Sequence, residues 1–196
     1  IKLLMRLYDA GSGSIRIKGR DIKTIPAREL RESTGVVFQN DFVIADTLRE
    51  NIRYYRDIPD ERLWQAAEDA QAAGFIRSFE GGLDYRVAQK GNNLSGGQRQ
   101  RLLIARALAG QPELLILDDS SSALDYRTDA ALRKALARGY KNTTAVIIAQ
   151  RVSSIMNADR ILVLDEGREI GFGTHRELME TCKMYKEIAT TQMGAQ

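Results

Sequence analysis

Two adjacent carboxylates close a run of aliphatic residues in LLILDDSSSALD, Leu114 to Asp125. Four apolar residues followed at once by charge read as a short strand buried on both faces, the kind found in parallel sheets covered by helices. Open α/β sheets place their ligands beyond the carboxyl ends of such strands, which is where Asp118 and Asp119 fall. A carboxylate there can hold a hard cation through oxygen or draw a proton from an attacking water. If strand geometry runs through both residues, their side chains point to opposite faces and do different work. Taken alone, the pair also reads as the acidic start of a loop.

A second chemical signal precedes the first. In NLSGGQRQRLLIARALAG, Asn93 to Gly110, Ser95 is a good helix N-cap and two glycines let the backbone come close to a ligand. Leu102, Leu103, Ala105, Arg106 and Leu108 continue a helix with a mixed face. The free N–H groups and the dipole at such a helix end attract phosphate. A plain capped helix with glycines at its start accounts for the same residues.

The elements that must position these groups alternate along the chain. Ile1, Leu3, Leu4 and Leu7 carry helical spacing from the outset, so the sequence is expected to begin inside a helix that stops at AGSGS. SIRIKGRDI alternates like a strand with a glycine turn, Pro26 opens a short helix, PARELRES, and GVVFQ reads as a strand. From about Thr47 to Ala109 the pattern is mostly helical: TLRENIRYY, then ERLWQAAEDAQAAG ending at Gly74, then a Gly-rich loop and the helix after SGGQ. LLILD, TAVIIAQ and RILVLD return as strands between helical segments, followed by a REIGFG strand, which predicts a mostly parallel sheet. THRELMETCKMYKEIATTQ is expected as outer helices.

Composition narrows the class of protein. With 196 residues, 43% of them apolar, the chain can bury a sizeable core as one domain or one domain with a lobe. Lys plus Arg is 29 against 26 for Asp plus Glu, and a net +3 that is dispersed does not demand nucleic acid or anionic lipid. A single cysteine, Cys182, excludes an internal disulfide and fits a reducing compartment. No apolar run is long enough to cross a bilayer, so any membrane part lies outside these residues. The lone histidine, His175, falls in the first turn of a helix whose cap is Thr174 with Glu177, which argues against catalysis. No spacing of metal-ligating residues points to a metal cluster.

Order and spacing together carry a resemblance. LSGGQ (Leu94, Ser95, Gly96, Gly97, Gln98), the strand ending in Asp118, and SALD from Ser122 to Asp125 resemble the signature, Walker B and D-loop motifs of ATP-binding cassette (ABC) ATPases. Gln39 falls where that family has its Q-loop glutamine, and Thr47 to Ile52 resembles the segment that follows it in exporter-type members. The resemblance extends over essentially all 196 residues. It implies an α/β fold: a RecA-like P-loop NTPase core with a mostly parallel sheet, an ABC α-helical subdomain and an N-terminal antiparallel β portion. Residues 1–40 and 111–196 would form the core, and 41–110 the helical subdomain. ATP and Mg2+ are the implied cofactors, with Gln39 and Asp118 on the metal, partly through water. The implied partners are a second nucleotide-binding domain, paired head to tail, and the transmembrane domains of an exporter, at the cytoplasmic face of the membrane. No nucleic acid is implied.

The departures from the pattern matter as much. The family's P-loop precedes a helix like IKLLMRLYD, and no GxxxxGK[ST] occurs in the sequence, so truncation before or within Walker A is expected. The aromatic residue that stacks on adenine would lie upstream too, and the polypeptide alone is expected to bind ATP poorly. Asp119 stands where the family usually has the glutamate that polarises water, one methylene short. A displacement of about 1 Å in such a group costs on the order of 100-fold in rate. Gln150, in TTAVIIAQRVSSI, stands where the family has its switch histidine; a neutral amide can hydrogen-bond a γ-phosphate but cannot carry charge or relay a proton. Gln89 also replaces a glutamate common in exporters.

Because ABC domains pair head to tail, the intact LSGGQ would serve the partner's ATP, and the resemblance counts Asp125 of the D-loop among the nucleotide-binding residues. Gln39, Asp118, Asp119 and Gln150 would face the chain's own nucleotide. The pattern resembles the degenerate half of a heterodimeric exporter. The rivals are a nucleic-acid-directed ABC ATPase, which expects a long coiled-coil insertion or a second cassette, and a regulatory module that binds nucleotide without turnover.

Overall fold

The first turn of a helix fixes several backbone angles for one hydrogen bond, so short helices need burial to persist. In this computed structural model, which describes residues 1–194, the helix expected at Ile1 is instead a run of turns. Met5 N–H donates to the Ile1 carbonyl, Arg6 to Leu3 and Leu7 to Lys2, so the bond spacing never repeats. Arg6 takes a left-handed φ of 53°. Leu3 and Leu7 are exposed, which leaves little burial to offset the cost of nucleation.

The chain divides into two compact units, Ile1–Val146 and Ile147–Gln196. In the first, β1 (Arg16–Ile17) and β2 (Arg20–Asp21) pair antiparallel across Lys18 and Gly19, both at positive φ as a tight hairpin turn requires. Helix α1 (Ala27–Glu32) leads into β3 (Thr34–Val37). Four helices follow: α2 (Leu48–Arg53), α3 (Asp60–Asp69), α4 (Ala73–Ser78) and α5 (Gly96–Ala109). Then come β4 (Leu114–Asp118), α6 (Tyr126–Gly139) and β5 (Thr144–Ile148), whose last two residues already belong to the second unit.

The sheet order is β3-β4-β5, with β3 and β4 parallel and Val37 opposite Leu117. Leu114 to Leu117 are all buried, as a strand covered on both faces should be. Against this sheet lies α5, whose Leu102, Ile104 and Leu108 are fully buried. Gly35 of β3 makes that approach possible: a Cβ there would come within 2.4 Å of the Ala107 carbonyl and 2.9 Å of Pro112 Cγ.

The single helix expected over ERLWQAAEDAQAAG is two. Gln71 enters the left-handed region at φ 59°, Gln71 N–H bonds the Glu68 carbonyl and Ala72 N–H reaches back to Ala67. This is a Schellman ending built on glutamine rather than glycine, and Gly74 falls inside the next helix.

In the second unit, a 3-10 turn (Val152–Ser154) precedes β6 (Ile161–Asp165) and β7 (Arg168–Gly173). These strands form an antiparallel hairpin, with Glu166 and Gly167 at positive φ in its turn. RILVLD is therefore paired with REIGFG. Helices α7 (His175–Thr181) and α8 (Lys183–Met193) close the unit. Its core gathers Val152, Ile161, Leu178, Cys182, Tyr185 and Ala189. A capping box between Thr174 and Glu177 starts α7, and His175 Nδ1 lies 2.8 Å from the Tyr185 hydroxyl.

Candidate functional site

Strand geometry ends at Asp118, half-buried at the carboxyl end of β4. Asp119 takes a left-handed φ of 51°, a conformation that aspartate tolerates better than most residues. The two carboxylates are therefore not alternating strand residues; one ends a strand and the other turns the chain. The turn is tied down locally, with Ser122 Oγ donating to the Asp119 carbonyl at 3.0 Å and Leu124 N–H to that of Ser121 at 3.0 Å. Asp125 then caps α6, accepting from the Thr128 N–H and hydroxyl, each at 2.8 Å. Those two bonds hold its carboxyl below the usual range.

Ser95 and Gln98 form a reciprocal capping box on the 14-residue α5: Ser95 Oγ accepts from Gln98 N–H at 3.2 Å, and Gln98 Oε1 accepts from Ser95 N–H at 2.8 Å. The N–H groups of Gly96 and Gly97, at the first two helical positions, have no intrahelical acceptor and are directed out of the helix end. Leu94 is buried and anchors this end. A Cβ on Gly97 would lie 3.3 Å from the Ala123 carbonyl, so the structure brings the LSGGQ and SALD segments into contact within one chain. Asn93, which the sequence reading passed over, shapes the approach: Oδ1 accepts from Ala88 N–H, and Nδ2 donates to the Tyr85 hydroxyl and the Arg86 carbonyl.

Gln39 is exposed just beyond β3. Because Val37 pairs with Leu117, Gln39 and Asp118 leave the same end of neighbouring parallel strands. The loop after Gln39 is held by Arg106 of α5, a residue read from sequence only as part of a helix face. Its Nη1 donates to the Phe42 carbonyl at 2.9 Å and lies 3.8 Å from the Asp41 carboxylate, while its guanidinium sits 4.6 Å from the Tyr54 ring centre. Burial pushes its pKa down, against the opposing pull of Asp41. Asn51 completes the arrangement: fully buried, it accepts from Ile44 N–H and donates to the Ile44 and Thr47 carbonyls. The signal for it was an asparagine in a short helix, where its amide competes with the backbone.

Gln150, exposed beyond β5, lies in the second unit. Its carbonyl accepts from Gln192 Nε2 at 2.8 Å, and Gln192 Oε1 accepts from Val152 N–H at 2.8 Å. Gln192 was not identified from sequence, since a polar residue near a helix end carries no such signal. Elsewhere, a polar cleft of about 580 Å³ is lined by Arg62, Asp69, Glu113 and Tyr140 and holds none of the expected site residues. There Tyr140 receives a hydrogen bond from Arg62 and donates to Asp69, and burial pushes its hydroxyl up to about 12.

Among the described residues, no group of three or more His, Cys, Asp or Glu could cage a metal. A lone half-buried carboxylate such as Asp118 instead suits magnesium, which keeps water and substrate phosphates as its other ligands. The exposed Gln39 amide can add an oxygen at the same end of the sheet. No described helix is long and apolar enough to cross a membrane.

The ABC transporter family model matches residues 1–122. The Bacillus subtilis protein named Uncharacterized ABC transporter ATP-binding protein YknU is 42% identical over 192 residues, covering 97% of this chain and 33% of its own. Human ATP-binding cassette sub-family B member 5 is 39% identical over 193 residues, covering 98% of this chain and 15% of its own. A solved structure described as a bacterial Atm1-family ABC exporter with ATP bound superposes with a TM-score of 0.93 at 37% identity, over 98% of this chain and 34% of that one. The chain spans about a third or less of the length of these relatives. Its α/β architecture is that of an ABC exporter's nucleotide-binding domain. With signature, strand-end aspartate and fold all in agreement with this match, the chain belongs to the ABC transporter family.

Proposed function

We propose that the chain is the nucleotide-binding domain of an ABC exporter, coupling ATP binding and hydrolysis at a head-to-tail dimer interface to export across a membrane. The observation that carries this reading is the capped glycine end of α5 lying against Ala123. It sets a phosphate-attracting helix end beside the segment that leads from Asp118 to Asp125. The transmembrane domains are the second partner, and the chain works at the cytoplasmic face of the membrane. The proposed division has residues 1–40 and 111–196 as the core and 41–110 as the helical subdomain.

In this reading the Gly96 and Gly97 N–H groups, with Ser95, bind the γ-phosphate of the partner's ATP, and Leu94, Gln98 and Asp125 hold that surface in shape. The chain's own nucleotide is served by Gln39 and Asp118, which hold Mg2+ partly through water, and by Asp119 and Gln150. The metal, when bound, neutralises phosphate charge. Asp119 draws the proton of the attacking water, but its carboxylate is a methylene short for that task. Gln150 donates an amide hydrogen bond to the γ-phosphate and carries no positive charge. The own site therefore holds ATP longer than it hydrolyses it, and a heterodimeric partner supplies the faster site. The 196 residues contain no GxxxxGK[ST], and by themselves they are expected to turn over no ATP.

The test compares ATP turnover of the full-length protein, assembled with its partner, with that of the Asp119→Glu plus Gln150→His variant. A rise of about 10- to 100-fold supports a competent site restrained by two residues. Wild-type turnover that is already fast and does not change makes the protein an ordinary ABC motor. Slow turnover in both makes it a regulatory nucleotide-binding module.

A further inference from the structure

We infer that Gln192, on the C-terminal helix, is a positioning residue for Gln150, so that α8 sets how long the chain's own site retains ATP. The inference rests on the reading of Gln150 as a γ-phosphate contact. Its geometry, however, lies wholly within the second unit.

The side-chain amide of Gln192 is used at both ends. Nε2 donates to the Gln150 carbonyl and Oε1 accepts from Val152 N–H, each at 2.8 Å, so one planar group brackets Arg151. A carboxamide presents a donor and an acceptor on one edge, as a neighbouring strand does, and here it takes the place of a strand for the turn that carries Gln150. The 3-10 turn over Val152–Ser154 needs that service. Arg151 at its N-cap makes no side-chain hydrogen bond to it, and the amide satisfied by Gln192 is the first of the turn.

The clamp has a firm base. Tyr185 and Ala189 of α8 are 3% and 0% exposed, and they share one apolar cluster with Val152, Ile161, Leu178 and Cys182. Thus α8 holds this turn by packing on the Val152 side chain and by hydrogen bonding on its backbone. Together these fix the Cα from which the Gln150 side chain leaves. A contact to phosphate depends on where that amide starts, and the start is set by a residue 42 positions further along.

The experiment uses the full-length protein with its partner. It follows hydrogen exchange at the Val152 amide and the release of bound ATP and ADP in Gln192→Leu, Gln192→Glu, Gln150→Ala and the Gln150→Ala/Gln192→Leu double variant. Gln192→Leu is expected to raise exchange at Val152 by about five-fold, the worth of one ordinary hydrogen bond. It should speed ATP release by a similar factor and leave ADP release alone. Gln192→Glu keeps the acceptor for Val152 but sets a carboxylate against the Gln150 carbonyl. It should therefore preserve slow exchange at Val152 and still speed ATP release.

In the Gln150→Ala background, Gln192→Leu should add nothing to ATP release. If Gln150→Ala speeds ATP release while Gln192→Leu does not, or if the two effects add, the positioning role is wrong. If Gln150→Ala leaves ATP release unchanged, the reading of Gln150 itself is wrong and the inference falls with it.

Discussion

Arg106 grips Asn51 twice, with Nε on its backbone carbonyl at 2.8 Å and Nη2 on its side-chain Oδ1 at 3.1 Å. The pair joins the helix that begins with the LSGGQ glycines to the segment that follows Gln39. Arg106 side-chain exposure is 11% and that of Asp41 is 13%, so removing the guanidinium leaves a nearly buried carboxylate without its countercharge and takes a donor from the Phe42 and Asn51 carbonyls. Arg106→Met is expected to destabilise the chain by about 3 kcal/mol in equilibrium urea unfolding. Arg106→Lys should recover less than half of that, because a single ammonium cannot span both Asn51 acceptors and Phe42. A loss within experimental error of zero for Arg106→Met would remove this residue from the framework.

The capping box of α5 makes a prediction that separates stability from function. Ser95→Ala should cost about 1 kcal/mol, whereas Ser95→Gly, which frees the end to hydrate, should cost only a few tenths. Both variants remove the hydroxyl proposed to face the partner's ATP. The two should therefore lower turnover at the partner's site by similar factors although they differ in stability. Turnover that instead tracks stability would mean that Ser95 serves only as a cap.

Asp125 gives the acid limb. Its carboxyl titrates below the ordinary 3.8 because the Thr128 N–H and hydroxyl bind the charged form. A group depressed in the folded state contributes stability that is complete above the unfolded value and is lost as pH falls through the folded one. Asp125→Asn keeps an acceptor for the Thr128 amide and does not titrate. The stability difference between wild type and this variant should be constant above pH 3.8 and shrink below it, in unfolding curves taken at stepped pH. A difference independent of pH would show that the cap works without its charge.

Tyr140 gives the alkaline limb, with the opposite sign. Burial, partly countered by the hydrogen bond from Arg62, raises its hydroxyl from 10.0 to about 12. The folded chain therefore holds that proton more tightly than the unfolded one. Stability from this source is complete below pH 10 and is lost as pH rises from 10 to about 12. Tyr140→Phe should show a smaller alkaline loss than wild type, and ultraviolet titration of the phenolate should find one late-ionising tyrosine missing. Identical alkaline limbs would place Tyr140 in contact with water.

Strands and capped helices were legible because their signals are local. LLILD ends at Asp118 in both sequence and structure, and the Ser95 and Thr174 caps follow from residue types three apart. The break at Gln71 was not legible, since left-handed helix endings favour glycine or asparagine and the chain uses glutamine. The turn at Asp119 was not legible for a related reason: nothing in DDSSS says that the chain enters the left-handed region directly after the strand-end carboxylate. Arg106 and Gln192 stayed hidden because their partners lie 55 and 42 residues away, where no helical or strand period reaches. Such residues look like ordinary polar positions until the fold delivers their partners.

Gly35 leaves α5 and β3 almost touching, with no side chain between them. Side chains usually act as shock absorbers, taking up small displacements by changing rotamer. Here the glycine faces the Ala107 carbonyl, so a displacement of the helix at that contact meets backbone rather than a rotamer that can yield. The missing methyl group makes the junction stiff.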